Sequence, residues 1–139
     1  MRVLYVCVHN AGRSQMAEAL TNALAFRQGI DVTAESAGTV PGTQVNPMAV
    51  AAMEEIGFSM DGHHPKPLTQ AMVDRADLVV TMGCGVDAEA CPARIVISED
   101  WGLPDPAGQG LDAVRPIRDA ISRRVQQLLE RAPAKSASP

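Results

Sequence analysis

Residues 2–7, RVLYVC, run into a small and polar stretch, VHNAG, and that runs into RSQMAEALTNALAF. The first piece is short, apolar and β-branched or aromatic, which reads as a buried strand. The last places Met16, Ala17, Leu20, Ala23 and Leu24 at helical spacing and predicts a helix over 13–28, stopped by Gly29. The same alternation continues. Strands are expected at 31–38, 77–82 (DLVVTM) and 94–98 (RIVIS). Asn46 and Pro47 read as the cap and first residue of a helix to about Ile56, with Gly57 after it. A short helix is expected over 68–76. The last helix is expected from about Asp112 to Arg131, with Val114, Ile117, Ile121, Val125 and Leu128 on one face and Pro116 in its first turn. Strands alternating with helices imply an α/β fold: three layers, a four-stranded parallel sheet with helices on both faces. One domain over 1–132 and a disordered tail over 133–139 are expected.

In such a sheet the site lies beyond the carboxyl ends of the strands. The loops on that rim carry Cys7, then Cys84 and Cys91, then Asp105. Composition narrows what they do. A net charge of −4 gives no broad basic face for nucleic acid. The apolar runs fall short of the roughly 18 residues of a membrane span, and MRVLYVCV is too short for a signal peptide. A cytoplasmic chain and a monomer are expected. In a reducing compartment three cysteines are poor structural staples, and an odd count suits a nucleophile plus a pair.

Between Cys7 and Arg13 the backbone of Val8, His9, Asn10, Ala11 and Gly12 has the length to curl its N–H groups into an anion nest. The helix N-terminus adds partial positive charge, and Arg13 offers a planar fork for a tetrahedral oxyanion. Gly12 is expected to supply a backbone conformation other residues resist. The same field favours a Cys7 thiolate, and Ser14 has a hydroxyl to donate to it. The bland alternative is a buried strand cysteine beside a solvated arginine; the flanking strand, helix and Gly-Arg-Ser sequence favour the functional one.

CVHNAGRSQMAEA has the C-x5-R-S pattern of the low-molecular-weight protein tyrosine phosphatases and resembles most the arsenate reductases built on that fold. The likeness extends through ESAG, VNPMAVAAMEEIG, ADLVVTMGCG and DWGLPDPAG, about residues 2–130. The resemblance implies that Cys7 attacks arsenate, with phosphate or sulfate as analogues, that Asp105 protonates the leaving oxygen, and that Cys84 then Cys91 carry the disulfide outward to thioredoxin. A low-molecular-weight thiol is the other reductant the resemblance allows. It implies no tightly bound cofactor, and a potassium ion near Asn10, Glu18 and Ser36; the alternative is that Asn10 and Glu18 stabilise the loop by hydrogen bonds. The further acidic ligand of that ion is missing near HHPKP, where Lys66 offers a fixed charge instead. The aromatic residues that follow the acid in the phosphatases are replaced by Ala107 and Gly108.

A phosphatase acting on phosphotyrosine or small esters, and a non-catalytic thiol redox sensor, are the rival readings. Cys84 and Cys91 also have bland ones, as inert thiols or as zinc ligands with His63 and His64, which more simply cap a loop or meet solvent. Seven helical residues span about 10.5 Å, whereas a disulfide needs Cα atoms about 4.4–6.8 Å apart. Segment 83–92 is therefore expected to rearrange when that pair oxidises. Trp101 is expected to pack beneath the Asp105 loop.

Overall fold

The computed structural model describes residues 1–82 and 97–132. Its elements are β1 (Arg2–Cys7), α1 (Arg13–Gln28), β2 (Thr33–Gly38), α2 (Pro47–Glu55), α3 (Gln70–Arg75), β3 (Leu78–Thr81), β4 (Glu99–Asp100) and α4 (Leu111–Arg131). The sheet runs β2-β1-β3-β4, all parallel. β1 lies between two neighbours, so its side chains are buried on both faces and alternation sorts them. Val3, Tyr5 and Cys7 join the larger core with α1, α2 and α4, while Leu4 and Val6 pack with Ala37, Leu68 and Val79 under α3. Helices thus cover both faces of a four-stranded parallel sheet.

Local chemistry explains the element ends. Gly29 closes α1 in the left-handed region (φ 66), and the Asn46 side chain accepts from Met48 N–H as the cap of α2. β2 is shorter than its apolar pattern because Arg2 pairs with Thr33, where the ladder starts. β4 departs more. The strand expected at 94–98 leaves Glu99 outside it, yet Glu99 pairs with Val80 and Asp100 with Thr81, whose hydroxyl donates to the Asp100 carboxylate at 2.6 Å. Residues 94–96 lie outside the described residues. Backbone pairing, not apolar content, carries the ladder into these two polar residues.

α4 presents the expected stripe: Val114, Ile117, Ile121, Val125 and Leu128 are all buried, each side chain contributing about 1.5–3 kcal/mol of transfer free energy. Pro116 is in the second turn, not the first, because the helix starts at Leu111. The ring is exposed, so the Asp112 carbonyl that loses its helical partner faces water. Arg118, on the buried side of α4, donates to Ala52 O and to Glu55, tying α4 to α2. Hydrogen bonds from Arg115, then from Arg118, hold the Glu55 carboxyl down to about 2.

In α1, Ala23 and Leu24 are only half-buried, whereas Arg13, Ser14 and Gln15 in the first turn are fully buried. The apolar stripe fails there because those polar side chains serve the loop that precedes them. Trp101 is buried against Tyr5, ring centroids 5.4 Å apart, and is a packing residue. Burial holds the Tyr5 hydroxyl far above its ordinary range, and it meets Thr21 at 2.7 Å. Among the described residues no helix is long and apolar enough to cross a membrane.

Candidate active site

The loop after β1 is shaped by where its carbonyls go. Cys7 O accepts from Thr39 N–H, Val8 O from Val40, His9 O from Gly42 and Ala11 O from Asn46, while Gly12 O accepts from Met16 in α1. Asn10 O accepts from the Gln15 side chain at 3.0 Å. Every carbonyl from Cys7 to Gly12 is thus engaged by a donor within the protein. In a trans peptide the next N–H points the opposite way, and the described chain has no cis bond. The N–H groups of residues 8–13 therefore point opposite to these carbonyl bonds, the arrangement a nest uses. The Asn10 N–H shows the direction: it reaches Cys7 Sγ at 3.2 Å. Asn10 itself has φ 52 and makes the turn in the left-handed region.

Gly12 is not in the left-handed region: its φ is −131 and its ψ −88. Its role is spatial. A Cβ there would stand 2.8 Å from Pro106 Cγ, so only glycine lets the acid loop close on the anion loop. Gly38 acts likewise, since a Cβ would stand 2.6 Å from Val8 O.

Cys7 lies 4% exposed at the end of β1, with Ser14 Oγ 2.9 Å from its sulfur at the N-terminus of α1. Arg13 is buried, and its NH1 donates to Met82 O (3.1 Å) and Leu103 O (2.6 Å). Its NH2 stands 3.8 Å from Asp105 Oδ2. Asp105 Oδ1 accepts from Ala107 N–H at 2.9 Å, an Asx turn that fixes the side chain, which stays 57% exposed at the mouth. Cys7, Val8, His9, Ala11, Gly12 and Arg13 line a cleft of about 360 Å³, closed opposite by Gly42, Asn46 and Asp105–Ala107. The structure thus brings one thiol, a row of backbone donors, a guanidinium and a carboxyl around a space fit for a tetrahedral oxyanion. The chain has one Tyr, and it is buried in β1, so no tyrosine walls the cleft.

The oxygens of the expected potassium site are already hydrogen-bond acceptors. Glu18 Oε1 accepts from Ser36 Oγ (2.9 Å) and faces Lys66 Nζ (3.4 Å), and Oε2 lies 3.3 Å from His63 Nδ1. Asn10 Oδ1 accepts from Gln15 Nε2 and from Lys66 N–H. Lys66 Nζ stands beside Glu18 and offers it a positive charge there.

Reading by pattern missed Gln15 and His63. His63 sits part-buried between Gln15 and Glu18, while His64 meets solvent as expected. Asn46 was read only as a helix cap, yet its N–H also holds Ala11 O. The available signal was a polar Gln wedged between Ser14 and Met16, where a helix face would be apolar. Cys84, Cys91 and the segment 83–92 lie outside the described residues.

Residues 2–137 match the family model described as low molecular weight phosphotyrosine protein phosphatase. The chain is 35% identical over 129 residues to the glutaredoxin arsenate reductase of Synechocystis, covering 92% of this chain and 95% of that one. It superimposes on a solved arsenate reductase in the phosphate binding state with TM-score 0.79 at 33% identity, over 94% of this chain and 98% of the other. A thioredoxin-dependent arsenate reductase of Corynebacterium glutamicum matches with TM-score 0.73 and 34% identity, over 94% of this chain and 60% of that chain. This chain belongs to the low molecular weight phosphotyrosine protein phosphatase family.

Proposed function

We propose that the protein reduces arsenate to arsenite with its own thiols. The observation that carries this is the Cys7 sulfur, set among Ser14, the Asn10 N–H and the Arg13 end of an anion-sized cleft. The arsenate reductases among its relatives support it. The oxyanion sits on the N–H groups of residues 8–13 and on Arg13. The Cys7 thiolate attacks arsenic, an S–As bond forms, and Asp105 protonates the oxygen that leaves as water. A Cys84 thiolate then attacks the Cys7 sulfur. The S–As bond breaks with its pair remaining on arsenic, which leaves as arsenite, and a Cys7–Cys84 disulfide remains. Cys91 attacks Cys84, releasing Cys7 as a thiol and leaving a Cys84–Cys91 disulfide.

A dithiol donor then reduces that bridge, and thioredoxin is the donor proposed. One relative is named for glutaredoxin, another for thioredoxin. The cycle needs reduced thiols, which suits the cytoplasm.

The same loop suits slow hydrolysis of phosphate monoesters, the activity in the family's name. The residues after Asp105 are Pro106 and Ala107, with no aromatic ring to grip an aryl group, which favours a small inorganic oxyanion.

A coupled assay tests the proposal: NADPH oxidation with thioredoxin, thioredoxin reductase and arsenate. Cys84→Ser and Cys91→Ser are each expected to reduce steady turnover to background while leaving hydrolysis of p-nitrophenyl phosphate in place. Full arsenate turnover in both variants would refute the relay.

A further inference from the structure

The hydrogen bonds behind Cys7 have a direction. Gln15 Nε2 lies within 3.0 Å of three oxygens, Asn10 O, Asn10 Oδ1 and His64 O, so the nitrogen end of that amide is fixed. Its Oε1 then faces His63 Nδ1 at 2.9 Å, which must carry the hydrogen, and Glu18 Oε2 at 3.3 Å favours the same tautomer. Asn10 Oδ1 accepts from Gln15 and from Lys66 N–H, so Asn10 Nδ2 is the end that meets Ser14 Oγ at 2.7 Å. Ser14 Oγ, already an acceptor, has its own hydrogen to give to Cys7 Sγ at 2.9 Å. Four donors therefore point one way: His63 to Gln15, Gln15 to Asn10, Asn10 to Ser14, Ser14 to sulfur.

We infer that Gln15 and His63 are positioning residues: they lock the orientation of the Asn10 amide so that the donor chain ends on the Cys7 sulfur. Chained hydrogen bonds polarise one another, and the arrangement favours a sulfur that accepts, the thiolate. Reversing the Asn10 amide would present its oxygen to Ser14, whose hydrogen would turn away from sulfur. The titratable and charged groups around this corner are Arg13 and Asp105 on the cleft side and Glu18, His63 and Lys66 at the far end. His9 also stands at the rim, its Nδ1 on Val40 O. The inference rests on Cys7 being the nucleophile of the proposed reaction.

The test reads the sulfur without arsenate, so its outcome stands apart from the reductase reading. In full-length protein carrying Cys84→Ser and Cys91→Ser, Cys7 is the one cysteine left. Its alkylation by iodoacetamide at pH 7 is followed by intact mass. Gln15→Met removes the donor and Gln15→Glu opposes it. Both are expected to slow alkylation about tenfold, the Glu variant more, as befits loss of a hydrogen bond to a charged acceptor. His63→Leu is expected to slow it a few-fold and His63→Asn, whose amide places an N–H where Nδ1–H stood, to restore it. His63 is half-buried, so this pair keeps the test sound where a Gln15 variant folds poorly. Rates within twofold of the parent in the Gln15 variants, or His63→Asn as slow as His63→Leu, would overturn the inference.

Discussion

Cys7→Ser is expected to abolish arsenate-dependent turnover, a loss of at least about 10⁴-fold in kcat, as when a catalytic nucleophile is removed. Serine fits the space and keeps the fold. Its oxygen meets Ser14 Oγ and Asn10 N–H, which now stand 2.9 and 3.2 Å from the sulfur. An alcohol is not ionised near neutral pH by the field that favours a thiolate, and it cannot pass electrons to arsenic through a disulfide. The carbonyls of residues 7–12 keep their partners on Thr39–Asn46 and α1, so the anion nest survives. Phosphate affinity by calorimetry should therefore change by less than about tenfold and the melting temperature by a few degrees at most, consistent with an exchange that leaves no cavity. A variant that lost phosphate binding with turnover would show that Cys7 shapes the loop and that its chemistry lies elsewhere.

Arg13→Lys should cost about 10²–10³-fold in kcat/KM, the scale of losing a preorganised oxyanion donor. The guanidinium joins three parts of the site: its own loop, the end of β3 through Met82 O, and the acid loop through Leu103 O and Asp105. A lysine ammonium is a point donor and cannot reach both carbonyls while facing an anion. Leaving a buried carbonyl without its donor costs about 1–3 kcal/mol, so a lower unfolding midpoint should accompany the kinetic loss. Steady-state kinetics with urea unfolding checks both. Activity within threefold of wild type would mean that the planar fork grips nothing that matters.

What the sequence revealed and concealed follows from which forces leave periodic marks. α4 was legible because its burial repeats every third or fourth residue, and β1 because a strand buried on both faces is a continuous apolar run. The Cys7–Ser14 pairing was legible because a strand end and a helix start fix both residues. β4 was misplaced because backbone pairing holds Glu99 and Asp100 without any apolar signal. The close approach of Pro106 to Gly12 comes from a distant loop, and no local pattern records it. His63 was read as capping a loop or meeting solvent because its partners Gln15 and Glu18 lie far from it in the chain. A polar residue's role is set by its partners, and long-range partners are what a single sequence hides.

The central claim is that one chain carries out a complete two-electron reduction on three sulfurs. Fully reduced protein mixed with excess arsenate, without any external thiol, should release one arsenite per chain and stop. Peptide mass spectrometry after that single turnover should find positions 84 and 91 bridged and Cys7 a thiol. Arsenite without that bridge, or no arsenite from a fully reduced chain, would contradict the account.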